Sequence, residues 1–174
     1  DKINTLFDLV ENLGNNTIWL GDLLDTKEVV RGKALNTYLR RFTESNLKHY
    51  VLVGNHDWFN LECKEHSLEA LKALPNVIMV DKPLVQGDLV FFPYTHASTQ
   101  FRSWLKEHCG GSSQLFCHVD VRGFDYGNGL ISEEGMEVSD FDKIKRVISG
   151  HYHKYQERGN ITYLGTPFSH SFGE

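Results

Sequence analysis

An α/β fold is predicted by two features of this sequence. Helical and strand-like apolar spacings alternate along the chain. Five of its apolar runs also stop at a glycine or at a polar side chain suited to binding metal. The stops are Gly21-Asp22-Leu23-Leu24-Asp25, Gly54-Asn55-His56-Asp57, His118, Gly150-His151-Tyr152-His153 and Gly165-Thr166-Pro167. Buried strands that all end in ligands imply one shared site at the carboxyl edge of a sheet, where open α/β folds hold their chemistry. That site is expected to hold two metal ions.

The elements follow in order. Ile3, Leu6, Phe7, Val10 and Leu13 recur at helical spacing, and Gly14 supplies the stop. Thr17 to Leu20 is a short strand running into Gly21-Asp22. Leu35, Tyr38, Leu39 and Phe42 mark a second helix, and Tyr50 to Val53 a buried strand that meets Gly54. Leu68, Leu71 and Leu74 predict a third helix, ended by Pro75. Val77 to Val80 and Leu89 to Phe92 read as strands joined through a turn at Gly87-Asp88. A short helix covers Phe101 to His108, and the strand Leu115 to Val119 carries His118. Four glycines between Gly123 and Gly135, with little periodicity, predict a loop, and a loop this long beside a site is often functional. Arg146 to Ser149 is the strand before Gly150. Gly159-Asn160 fits a two-residue hairpin turn between Tyr155 to Arg158 and Ile161 to Leu164.

Composition excludes several classes. With 174 residues, 40% hydrophobic and 24% charged, the chain fits one globular domain spanning 1–174 with a substantial core. No apolar stretch approaches the roughly 20 residues of a membrane helix, and no signal-peptide pattern is present, so no membrane partner is expected. With Asp1 in place of Met, the chain is expected to be a fragment. Cys63, Cys109 and Cys117 are widely spaced and form no Cys-x-x-Cys pair, which suits reduced thiols in a cytoplasmic protein. A net charge of −5 and a pI near 6.0 argue against a basic face that holds nucleic acid by phosphate contacts alone. Phosphate binding here must lean on metals, whose charge the residue count omits.

The residues at the stops fit that chemistry. Asp22 has two oxygens and suits a bridge between two cations. The glycines before Asp22, Asn55 and His151 let the backbone turn at a strand end. Asn55 offers an amide oxygen, and His118, His151 and His153 offer imidazole nitrogens. His151 and His153 lie two apart, which in an extended segment puts both rings on one side. Mixed oxygen and nitrogen ligands without thiolate suit Mn2+, Fe2+, Zn2+ or Mg2+ rather than copper, with Mn2+ the first choice. His56 is free for acid–base work, with Asp57 expected to hold its ring and keep it protonated as the general acid for a leaving alkoxide.

These motifs, in this order, resemble those of the calcineurin-like metallophosphoesterases. The tail from Tyr163 to Glu174 looks like the end of the nuclease domain in the SbcD branch of DNA double-strand-break repair exonucleases, which includes viral versions. The resemblance implies a two-sheet sandwich flanked by helices. It implies that Asp22 bridges the metals, that Asn55, His118 and His151 bind one ion and His153 the other, and that His56 is the transition-state acid. It further implies DNA as substrate, a coiled-coil ATPase partner of the SbcC type, a homodimeric nuclease, and partner-contacting helices and a capping domain beyond Glu174. The location implied is the cytoplasm, or the host cytoplasm for a viral version.

One motif of that family has no match. The family opens with Asp-x-His on its first strand, whereas Asp1-Lys2-Ile3 lacks the histidine and reads as a helix start; the strand is expected upstream. Without it the second ion keeps only Asp22 and His153, and weak occupancy is expected there. Three functions follow: a DNA exonuclease or endonuclease, a small-molecule phosphodiesterase or phosphatase with the same centre, or a noncatalytic scaffold with a degraded one. Protein serine/threonine phosphatases are disfavoured, because Thr26-Lys27 follows Asp25 and Asp57 follows His56. Singly, each residue has an ordinary role: Asp22 a helix cap, His118 a satisfied strand histidine, Asn55-His56-Asp57 a turn. His49, His66 and His108 read as solvated. His96 and His170 are the candidate substrate contacts. Phe124 and Tyr126 suit base stacking, with loop anchoring the favoured role, and Arg40-Arg41 and Lys143, Lys145 and Arg146 read as solvated charge clusters.

Overall fold

The computed structural model describes residues 2–25, 31–127 and 129–168. Thr26-Lys27 and His170 lie outside the described residues.

Helix α1 (Lys2–Leu13) leads into strand β1 (Thr17–Trp19), helix α2 (Gly32–Glu44) and strand β2 (His49–Leu52). Strand β3 (Val77–Val80) completes a three-stranded parallel sheet in the order β1-β2-β3. The next pair, β4 (Leu84–Gln86) and β5 (Leu89–Phe92), is an antiparallel hairpin. Helix α3 (Ser98–His108), β6 (Gln114–His118), β7 (Arg146–Gly150), β8 (Gln156–Arg158) and β9 (Ile161–Tyr163) follow. They build a six-stranded sheet ordered β4-β5-β6-β7-β9-β8, parallel through β5-β6-β7-β9 with an antiparallel strand at each edge.

Leu52, Val80 and Phe91 are buried between the two sheets, with Ile18, Tyr50 and Phe116 packed against them. Tyr50 of β2 stacks on Phe91 of β5 at 4.8 Å and 3°, joining one sheet to the other. Outside the small sheet, α1 and α2 lay Phe7, Tyr38 and Phe42 over Val51. Outside the large sheet, Phe101 and Leu105 of α3 cover Val90, Leu115 and Val147. The fold is the expected two-sheet sandwich flanked by helices.

The elements differ from expectation at several places. Residues Glu69–Ala73 form a 3-10 helix rather than an α-helix. The leucines at 68, 71 and 74 repeat every three residues, which is the period of the tighter helix. Strand β4 is an addition, a three-residue edge strand whose Val85 is exposed. The Gly87-Asp88 turn therefore joins β4 to β5, while β3 belongs to the other sheet. A further 3-10 turn, Val138–Phe141, has a reciprocal cap in which Glu137 and Asp140 each satisfy the other's backbone N–H. His49 and His66 are buried rather than solvated, whereas His108 is exposed. Arg41 likewise leaves solvent, bonding Asp8 at 2.6 Å and Glu11 at 3.3 Å across α1 and α2.

Parallel pairing runs β1 and β2 in one direction, and β6 and β7 in one direction. Asp22, Asn55 and His151 lie in the segments after β1, β2 and β7, and His118 is the last residue of β6. Among the described residues, no helix is long and apolar enough to cross a membrane.

Candidate metal centre

Two loops of the small sheet supply the oxygen ligands. After β1 the chain turns sharply through Gly21 (φ 96°) and Asp22 (φ 54°), consecutive residues in a region that favours glycine. Asp22 holds its carboxylate toward the β2 loop, where its Oδ1 accepts the His56 backbone N–H at 2.9 Å. Gly54 is needed there for space: a Cβ on it would collide with the Asp22 carboxylate. Asp57 fastens the two loops together. Its carboxylate is fully buried and accepts the N–H of Asp22 at 2.8 Å, of Gly54 at 2.9 Å and of Leu24 at 3.4 Å.

Two strands of the large sheet supply the nitrogens. His118 ends β6, and its Nδ1–H donates to the Leu20 carbonyl at 2.6 Å, leaving the Nε2 lone pair for the site. His151 follows β7, and its Nε2–H donates to Asp120 Oδ1 at 2.7 Å, leaving Nδ1 as the free acceptor. Gly150 allows the sheets to meet at this point, since a Cβ there would lie 2.5 Å from the Leu20 carbonyl oxygen.

The result is a cluster of acceptors. Asn55 Oδ1 lies 2.9 Å from both His118 Nε2 and His151 Nδ1, the two nitrogens are 3.2 Å apart, and Asp22 Oδ2 is 3.2 Å from His118 Nε2. The ligand atoms of Asp22, His118 and His151 all lie within 4.8 Å of one another. Four acceptors converging at such distances repel one another unless positive charge sits among them, so the residues present fit a divalent cation. The charges around the metal-free cluster favour positive charge here, whether a proton or a cation. Burial works against a charged His118 ring, but the Asp22 carboxylate outweighs it and raises the pKa. Burial likewise disfavours an Asp22 anion, yet His118 and the His56 N–H hold its carboxyl down at about 2. Asp57 moves the other way: burial and then the Asp22 charge push it up to about 7, against the backbone donors of Gly54 and Asp22.

The other expected site residues fall as follows. His56 is exposed, and its Nδ1–H donates to the Asp25 backbone carbonyl at 3.0 Å. Asp57 does not hold that ring, as had been expected, because both its oxygens are taken by backbone N–H groups. His153 is exposed and is not in the group of ligand atoms around Asp22. The expectation that it shares a side with His151 rested on extended backbone, and His151 has φ 87°. His96 is exposed, its Nδ1 accepting the Tyr94 hydroxyl at 3.2 Å. Phe124 is buried, with its ring 4.9 Å from Tyr163, and Tyr126 is partly exposed, with its hydroxyl bonded to Ser132.

Two residues at the centre escaped the sequence reading. Tyr94 lies 6.0 Å from the rings of both His118 and His151, edge-on to the first and near-parallel to the second. Asp120 is the partner of His151; the available signal was a carboxylate two positions beyond a strand-end histidine.

A two-sheet α/β sandwich with an Asp, Asn, His, His cluster at its strand ends matches the architecture of a phosphoesterase family. The chain belongs to the calcineurin-like phosphoesterase family, whose sequence model matches residues 1–155, and membership implies phosphoester hydrolysis with divalent metal. Among its relatives are Exonuclease subunit 1 of Enterobacteria phage T4, 29% identical over 171 residues, covering 91% of this chain and 50% of that protein. Putative phosphoesterase 078R of Invertebrate iridescent virus 3 is 30% identical over 189 residues, covering 100% of this chain and 53% of that protein. Putative phosphoesterase 244L of Invertebrate iridescent virus 6 is 30% identical over 174 residues, covering 88% and 58%. The chain thus spans about half the length of the curated relatives it matches.

Proposed function

We propose that the protein is a metal-dependent phosphodiesterase acting on DNA, the nuclease subunit of an end-processing complex with a coiled-coil ATPase of the SbcC type, working as a homodimer in the cytoplasm. The observation that carries the metal-dependent hydrolysis is the convergence of Asp22 Oδ2, Asn55 Oδ1, His118 Nε2 and His151 Nδ1. Support for DNA as the substrate comes from the relative named as an exonuclease subunit.

Asp22, Asn55, His118 and His151 would hold the first ion, and Asp22 with His153 a second, weaker one; Mn2+ suits this mixed donor set. Such ions, when bound, polarise a phosphoryl oxygen and lower the pKa of a bound water. The protein's own groups supply the rest. His56 uses Nδ1–H to fix its ring on the Asp25 carbonyl, which leaves Nε2 for the substrate. From there a proton on Nε2 passes to the departing alkoxide oxygen as its bond to phosphorus breaks. Asp57 keeps the loops bearing Asp22 and His56 in register, and His96 and His170 contact the substrate.

Incubating the protein with end-labelled DNA and Mn2+ tests this reading: release of nucleotides is expected, and His118→Ala abolishes it. Hydrolysis of a small aryl phosphodiester without attack on DNA would instead assign a small-molecule phosphodiesterase, the reading suited to the relatives named putative phosphoesterases. No hydrolysis of either substrate would leave a scaffold with a degraded centre. Anomalous scattering from Mn2+-soaked crystals is expected to show unequal occupancy at the two positions, and equal occupancy would overturn that assignment.

A further inference from the structure

We infer that Asp120 is a positioning residue that aims His151 at the metal and sets its donor strength; this rests on the metal reading of the cluster. Its Oδ1 accepts the His151 Nε2–H at 2.7 Å, so the ring can offer the cluster only Nδ1. The same oxygen lies 3.4 Å from the Tyr152 hydroxyl, which accepts the Val121 N–H at 3.2 Å. Tyr152 is buried, and its one proton is shared between this oxygen and the Val121 carbonyl at 3.3 Å.

The backbone of Asp120 is fixed. Its carbonyl accepts the Met136 N–H at 2.9 Å, and Gly135, at φ 98°, approaches so closely that a Cβ would lie 2.6 Å from the Asp120 Cβ. The loop between β6 and β7 is therefore folded back onto this residue. Such support has a reason in the partner it serves. His151 holds φ 87°, a costly conformation for a residue with a side chain, and one that persists where the surroundings over-determine it. A ring on so constrained a backbone has only its χ angles left to lose, and the Asp120 bond fixes them. An anion on Nε2–H also raises electron density at Nδ1, strengthening it as a ligand.

Mn2+ binding to the wild type and to the D120A, D120N and H118A variants, followed by calorimetry, tests this together with the proton NMR signal of the His151 Nε2–H in the metal-free protein. Asp120→Ala is expected to weaken Mn2+ binding roughly 10- to 100-fold and to lose the slowly exchanging Nε2–H signal. Asp120→Asn, whose amide oxygen still accepts the bond but carries no charge, is expected to keep the signal and to bind with intermediate affinity. Wild-type affinity in D120A, or an Nε2–H signal that persists there, would overturn the inference. Should D120A fail to fold, D120N decides: loss of its signal would overturn the role, and retention supports it. H118A separates the two levels. If it binds Mn2+ as the wild type does, the metal reading itself fails and the role of Asp120 falls with it. If H118A loses Mn2+ while D120A keeps it, only the role of Asp120 fails.

Discussion

His56 and Asp57 are neighbours in sequence and opposites in burial, one exposed and the other fully enclosed. Replacing them should therefore fail in different ways. His56→Ala removes an exposed side chain that hydrogen-bonds the Asp25 carbonyl, so turnover is expected to drop about 10²- to 10⁴-fold with Mn2+ affinity nearly unchanged. Equal loss of metal in that variant, measured by calorimetry, would make His56 a ligand instead. Asp57→Ala strands the N–H groups of Asp22 and Gly54 and is expected to cost about 3 kcal/mol in urea unfolding, with metal affinity lost as the Asp22 loop moves. A variant as stable as the wild type would remove Asp57 from its fastening role. The types and positions of Asp22, Asn55, His118 and His151 were legible in the sequence, because each follows an apolar run. The target of Asp57 was not, because adjacency to His56 says nothing about side-chain direction when one residue points to solvent and the next into the core.

Strand β2 begins with His49, whose ring lies under α1 and α2 at 4.9 Å from Phe42 and 6.1 Å from Phe7. Its Nδ1 bonds the Thr17 hydroxyl at 2.6 Å and its Nε2 the Ser45 hydroxyl at 3.0 Å, so the neutral ring is satisfied, and among the described residues no charged group acts on it. Burial lowers its pKa to about 4. The unfolded chain, with an ordinary histidine pKa near 6.5, takes up a proton that the folded chain refuses. The contribution of His49 is therefore greatest above pH 6.5, falls as the pH drops toward 4, and changes no further below that. The loss is on the order of 2 kcal/mol. Urea midpoints between pH 4 and 7.5 are expected to slope less in His49→Gln than in the wild type; parallel slopes would refute the assignment. The strand was read from its apolar residues Tyr50 to Val53, and the reading stopped one residue short because a histidine looks like a boundary. Helix periodicity carried further where i+3 and i+4 partners were both apolar, as in α1 and α2. It failed at the leucines of 68–74, which repeat every three residues.

The two sheets meet at the candidate metal centre, with the small sheet supplying Asp22 and Asn55 and the large one His118 and His151. Alternating patterns made the α/β class legible, but not the division into two sheets. Nothing local in the sequence states that β3 pairs with β2 while β5 pairs with β6, and the sandwich was implied only by the resemblance of the motifs. On the proposed metal reading, that division would give a bound ion a structural task. A cation held by ligands from both sheets binds the folded molecule alone, so it stabilises the sandwich by mass action: at about 100 times its dissociation constant, about 2.7 kcal/mol. For a chain of this size that corresponds to roughly 5–10 °C in the unfolding midpoint. Mn2+ is therefore expected to raise the midpoint of the wild type by this amount in a thermal scan, and a chelator to reverse it. His118→Ala, which removes a ligand of the large sheet, is expected to abolish the increment; so is Asn55→Ala, which removes one of the small sheet. A midpoint that rises equally in all three proteins would mean that the ion binds elsewhere and that the ends of the two sheets do not share it.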